Sequence, residues 1–299
     1  MLGLGNSITS GSVVSEFSPI EIDALVAWWD FTDISTLWTD EGSVKVGAAD
    51  DNIMRVDNKA FTLQDSNKNA MGTYFQSSTT DTTKNPLYGT GGQNGKPYAI
   101  FNGSSHYLAA SKTIGNTDTD KLSHSTLNGT ALTVFYVVKS DVTSVTGDKH
   151  LFQMQGANAS DNFQLYINDA TEVVDGVTQN IDRWEWDTQD DSGRTHTLMN
   201  CGQNITDVAE YWTVELDSTS SSSFYRNGDT SDGVTNGSGD DFNIDFSAND
   251  TDVAIILGGK SSSSQLFDGN VYEIIMYDAA LTDAEITKVE GYLASKYGL

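Results

Sequence analysis

From residue 24 to residue 277 the chain is built of short runs of alternating or continuous apolar residues, separated by Gly, Asn, Asp and Ser. Only its last nineteen residues change to a helical period. A chain patterned this way can bury its apolar positions only by stacking sheets. The clearest run is Ala131–Ser140, where Leu132, Val134, Tyr136 and Val138 share one face and Thr133, Phe135 and Val137 the other. Both faces are largely apolar, which predicts a central strand covered on both sides. Residues 24–31, Ala-Leu-Val-Ala-Trp-Trp-Asp-Phe, form the opening strand. Further strands are predicted at 149–155, 162–168, 181–188, 194–200, 208–216, 222–227, 253–258 and 270–277. Between 40 and 97 the pattern is turn-rich, with short strands near 53–57 and 61–64 and then a long loop. Tyr98–Asn102 and His106–Ala109 read as a hairpin around Gly103-Ser104. No fixed-period repeat and no helix–strand alternation is present, which argues against a propeller, a solenoid or a parallel α/β sheet.

The C-terminal segment carries every signal of one amphipathic helix, 282–297. Thr282 is its cap and Glu285 completes a capping box. Leu281 is placed to staple onto Ile286, and Ile286, Val289, Leu293 and Tyr297 recur on one face. Gly298 ends it.

Composition narrows the function classes. Apolar residues make up 37% of the 299, a low share, but twelve Phe, twelve Tyr and six Trp can fill a thin core. Sixteen basic against 42 acidic residues give a net charge of −26. Such a surface repels nucleic acid and anionic lipid, keeps the protein soluble, and attracts cations such as Ca²⁺. No run is long enough for membrane insertion as a helix. The lone Cys201 allows no internal disulfide, and His106, His124, His150 and His196 show no metal-ligand spacing. The opening lacks a basic stretch followed by a continuous apolar one, so it does not read as an export signal. Residues 1–18 are rich in Gly and Ser, and residues 1–23 form an arm preceding a sandwich that spans 24–299. Its apolar residues Leu2, Leu4, Ile8, Val13, Val14 and Phe17 either fray in solvent or dock into a partner's groove.

Several segments resemble the laminin-G-like branch of the concanavalin A-like lectin and glucanase superfamily. They are Val253–Gly259, Phe267–Tyr277 with its Gly-x-(apolar)-x-Glu signature, Ala280–Glu285, and the tail Val289–Leu299. Upstream, Leu25–Asp30, Tyr98–Gly103 with Tyr107-Leu108, Trp212–Leu216 and Phe224–Gly228 match the family's other strands. The resemblance implies an all-β, antiparallel jelly-roll sandwich with one C-terminal α-helix. The opening Met1–Ile8 ahead of this domain is similar to virion proteins of tailed phages of marine bacteria, cyanophages in particular.

Three candidate sites follow. Laminarinase-type relatives use Glu-x-Asp-x-x-Glu on one strand, where alternate carboxylates serve as nucleophile and acid/base. Glu185-Trp-Asp187-Thr-Gln-Asp190 departs from this at its last acid, one methylene short, and a chain with 42 acids matches so loosely by chance. No enzymatic activity is expected from it. Trp184 and Trp186 alternate onto one face, where they could stack on sugar rings beside Asp182, or else pack as core, the commoner fate of tryptophan. The resemblance implies a rim Ca²⁺ site, for which Asp240, Asp241, Asn243 and Asp245 supply oxygen ligands. The alternative is a solvated acidic loop.

The expected function is a non-enzymatic virion structural protein, a capsid decoration or a tail or fibre component. It would be displayed on the particle surface as a homo-oligomer, anchored to other virion proteins by its arm, and in weak contact with host surface glycans. The alternative is an extracellular carbohydrate-binding module or glycan-processing domain.

Overall fold

The computed structural model describes residues 17–63, 74–77, 80–110, 131–141, 145–155, 162–174, 177–189, 195–199, 207–217, 223–229, 254–260 and 264–299. The first strands are β1 (Leu25–Asp30), β2 (Leu37–Trp38), β3 (Arg55–Asp57), β4 (Tyr74–Gln76), β5 (Leu87–Gly89), β6 (Tyr98–Asn102), β7 (Leu108–Ala110) and β8 (Ala131–Ser140). Then come β9 (Lys149–Gln155), β10 (Asn162–Val174), β11 (Val177–Gln189), β12 (Thr195–Met199), β13 (Glu210–Asp217), β14 (Ser223–Arg226), β15 (Ala254–Leu257) and β16 (Asp268–Tyr277). The α-helices are α1 (Lys59–Leu63) and α2 (Asp283–Tyr297).

The strands form two antiparallel sheets. One runs β14-β13-β8-β16-β6-β5, with β1 beside the second half of β16. The other runs β12-β11-β10-β9-β15-β7-β4-β3-β2. Alternation decides which residues meet between them. Leu132, Val134, Tyr136 and Val138 of β8 point inward, as the period of two requires, and join Trp29, Phe75, Phe152, Trp184, Trp186 and Trp212 in the main core. Phe135 and Val137 point to the opposite face, where α2 covers them. The all-β antiparallel sandwich with a C-terminal helix is therefore the observed architecture.

Helix α2 is capped as its sequence demands. The Thr282 side chain accepts from the Glu285 N–H, the Glu285 carboxylate accepts from the Thr282 N–H at 2.9 Å, and Gly298 closes the helix in the left-handed region. Ile286, Val289, Leu293 and Tyr297 are buried against Trp28, Phe135, Tyr272, Ile275 and Tyr277, with Leu281 in the same cluster. Beneath the helix lies a buried polar knot. Glu273 accepts from Trp28 Nε1 (2.6 Å), Tyr292 OH (2.8 Å), Tyr297 OH (2.7 Å) and Lys296 Nζ (2.8 Å). Asp30, opposite Glu273 in the ladder, pairs with Lys296 and Lys59, each at 3.0 Å. Burial and the neighbouring Asp30 push the Glu273 carboxyl up, outweighing Lys296 and Tyr297. Burial also pushes on Asp30, but Lys296 and Lys59 outweigh it and hold this carboxyl below its ordinary value.

Two expectations are corrected. Residues 61–64 were expected as a strand, but 59–63 form α1, because Asn58 turns the chain. Its Oδ1 accepts from the Ala60 N–H at 3.0 Å and from the Trp28 N–H at 2.9 Å. The hairpin of 98–102 with 106–109 does not form. β6 pairs with β5 and β16 in one sheet, whereas β7 pairs with β15 and β4 in the other. The corner between them is held by Asn102, whose Oδ1 accepts the N–H groups of Ser104, Ser105 and His106. Gly103 turns there with φ +65°, and a Cβ on it would come within 2.8 Å of Asp268.

Candidate functional site

The indoles singled out from sequence are not a sugar platform. Trp184 and Trp186 point between the sheets and are 2% and 1% exposed. Trp184 packs on Tyr136, Trp212 and Phe267, and Trp186 lies edge-on to Phe163 at 3.8 Å. The alternation that puts both on one face puts that face inward. Asp182 lies on the same strand, opposite Asp169 of β10. Asp240, Asp241, Asn243 and Asp245 fall outside the described residues, as do Asp190 and the arm residues Leu2, Leu4, Ile8, Val13 and Val14. Phe17 is described, and it packs partly buried against the chain's own helix cluster rather than standing free for a partner. Among the described residues, no cluster of three or more His, Cys, Asp or Glu could hold a metal ion.

Glu185 points the other way, to the outer face of the nine-stranded sheet, where it is 5% exposed. Its Oε1 accepts from Tyr166 OH at 2.6 Å and its Oε2 from the Asn168 amide. Tyr166 stands in register between Glu185 and His150, and the imidazole stacks on its ring at 4.7 Å and 11°. Burial, and after it Lys260, lowers the His150 pKa to about 3, so the ring is neutral. Both its nitrogens and the Oε1 of neighbouring Gln153 are buried without a hydrogen-bond partner among the described residues. This centre is polar but closed, its side chains all at or below 5% exposure except Tyr166 at 6% and the half-buried Asn168.

Among the described residues, an accessible part of the same face is its far edge, on β2, β3 and β4. In register across these strands stand Trp38, Arg55 and Gln76, flanked by Asp57 and Tyr74. Inward-facing Leu37, Val56 and Phe75 are fully buried, so the alternate positions emerge on the outer face half-buried. Asp57 organises the group: one carboxylate oxygen accepts from Trp38 Nε1 at 2.6 Å, the other from Arg55 Nε at 2.7 Å. The guanidinium lies 3.9 Å from the Tyr74 ring centre and 5.9 Å from that of Trp38. The ammonium of Lys45 lies 2.9 Å over the same indole and donates to the Ser35 carbonyl.

The loop joining β2 to β3 sets this arrangement. Asp40 Oδ1 accepts the N–H groups of Gly42, Ser43 and Val44 at 3.0, 2.7 and 2.9 Å, which folds the loop back over Arg55. Arg55 Nη1 donates to the Glu41 carbonyl at 2.8 Å. Gly42 adopts φ +128°, and a side chain there would meet the guanidinium at 3.1 Å. Burial lowers the Lys45 pKa, with Arg55 adding to it and Asp57 and Asp33 offsetting part. The result is two aromatic rings, two cations and a carboxylate on one open surface, a set able to stack on a flat ligand and hydrogen-bond its rim. Sequence reading passed over Trp38 because a two-residue strand shows no periodicity.

Fold and face together define an antiparallel β-sandwich with one side closed by a helix and the other partly open. No family model and no curated protein matches the chain. Solved structures of similar shape include the sialidase CBM40 of Ruminococcus gnavus bound to sialyllactose, at TM-score 0.40 and 18% identity, over 55% of this chain and 84% of that one. The Trypanosoma rangeli sialidase gives 0.49 and 13%, over 92% and 33%. The botulinum neurotoxin serotype D ligand binding domain gives 0.47 and 10%, over 92% and 52%.

Proposed function

We propose that the protein is a non-catalytic, lectin-like glycan-binding sandwich whose contact surface is the outer face of β2, β3 and β4. One observation carries the reading. Five of the six tryptophans are 4% exposed or less, and only Trp38 reaches solvent, beside Tyr74, Arg55 and Asp57. The Lys45 ammonium lies over this indole, and when it swings aside the ring is open for a ligand to stack on. A sugar ring offers an apolar face for the indole and hydroxyls for the flanking donors and acceptors. The test uses xylohexaose, laminarihexaose and a galacturonate hexamer as probes. Binding is expected to shield Trp38 from acrylamide quenching, and Trp38→Ala to weaken binding at least tenfold while the fold persists. If no probe shields Trp38, or if Trp38→Ala binds as the parent does, the reading fails.

The setting of this surface is a separate proposal. The opening Met1–Ile8 favours display on a phage virion, with the arm as anchor and a homo-oligomer as the displayed form. Quantitative mass spectrometry of purified particles decides it: a stoichiometric copy number is expected, and absence from particles overturns it.

A further inference from the structure

We infer that the glycan taken by the Trp38–Tyr74 surface is acidic, its carboxylate or sulfate held between Arg55 and Lys45. This rests on the glycan-binding reading above and adds the ligand's charge class.

The chain holds 42 acids against sixteen cations, and this surface gathers two of those cations around one directly bonded carboxylate. Arg55 and Lys45 approach one indole, and Asp57 is the carboxylate bonded to the group. Both Asp57 oxygens are committed, one to Trp38 and one to Arg55. Two acids close by also have hydrogen-bond partners of their own. Asp33 pairs with Lys59 at 3.0 Å and accepts from Ser35, and Asp40 accepts three backbone N–H groups. Arg55 spends its Nε on Asp57 and one Nη1 hydrogen on Glu41, which leaves the Nη2 end of the fork unbonded. Lys45, on an exposed residue, spends one of three hydrogens on Ser35. Two cations with spare donors, close enough to repel, fit an anionic group that accepts from both. A planar carboxylate suits the guanidinium edge, and the exposed lysine can swing from the ring to close on it. The sugar ring bearing that group would then lie on Trp38.

Titration calorimetry with the full chain tests this, using the galacturonate hexamer, a sulfated carrageenan hexamer and neutral laminarihexaose. At least one acidic probe is expected to bind ten times tighter than the neutral one. Arg55→Gln and Lys45→Gln should each erase that preference, and Trp38→Ala should weaken all binding. Lys45 is exposed, so Lys45→Gln remains a fair test should Arg55→Gln fold poorly. Equal affinity for neutral and acidic probes, with both cation variants indifferent and Trp38→Ala still damaging, overturns the acidic class and leaves the glycan reading standing. Binding by none of the three overturns both.

Discussion

His150 and Asp278 are two poorly solvated groups whose titrations pull stability in opposite directions. The His150 ring titrates at about 3, well below its ordinary value, so the unfolded chain takes up a proton that the folded one refuses. Its contribution is intact above about pH 6.5 and is lost as pH falls from there toward 3. Asp278 is the reverse case. Its Oδ1 is buried with no hydrogen-bond partner among the described residues, and burial raises the carboxyl to about 6. The folded chain therefore holds a proton that the unfolded one releases, and stability drops as pH rises from about 4 to 6. Urea titrations across pH 4–8 check both. Asp278→Asn is expected to stabilise the protein by about 1 kcal/mol at pH 8 and not at pH 4, after allowance for partial solvation. His150→Phe, which keeps the stack on Tyr166, is expected to flatten the loss below pH 6.5. Unchanged pH profiles in both variants would refute the assignment. Periodicity made Trp184 and Trp186 visible in the sequence as a pair. It could not say whether their shared face points inward, since a one-step change of register exchanges the faces.

Helix α2 was legible to its caps, because a helix bonds locally and its signals lie within four residues of one another. Strand positions from β8 onward were legible for a similar reason, since alternation is also local. Pairing was not: turn residues such as Gly103-Ser104 serve a hairpin and a corner between sheets equally well. The five residues of α1 are too few to show a period. Nor did any sequence signal show that Glu273 gathers Trp28, Tyr292, Lys296 and Tyr297, donors up to 245 positions away from it. Two substitutions separate what holds the helix. Thr282→Ala removes the capping box and is expected to cost about 1 kcal/mol. Glu273→Ala removes the shared acceptor of Trp28, Tyr292 and Tyr297 and leaves Lys296 with Asp30 as its one carboxylate, and a loss of about 3 kcal/mol is expected. Chemical denaturation of the two variants compares them. Similar small losses would mean that the knot under the helix contributes little beyond its packing.

At the scale of the whole molecule, the sandwich class followed from patterning, but the order of strands in each sheet did not, because it depends on contacts far apart in sequence. The charge of −26 is legible at once and acts on everything the surface does. Self-repulsion opposes the folded state at low salt, so the melting temperature is expected to rise as NaCl goes from about 10 to 150 mM and the Debye length shrinks from about 30 to 8 Å. The same field opposes the approach of an acidic glycan, although Arg55 and Lys45 attract it at contact. Long-range repulsion and short-range attraction respond differently to salt: screening acts on approach over tens of ångströms and far less on a partly desolvated ion pair. The association rate of the galacturonate hexamer is therefore expected to rise over that salt range, while laminarihexaose, being neutral, keeps a constant rate. Stopped-flow fluorescence of Trp38 measures both. An association rate for the acidic probe that falls with salt would show that the local cations, and not the acidic bulk, govern the field at this edge.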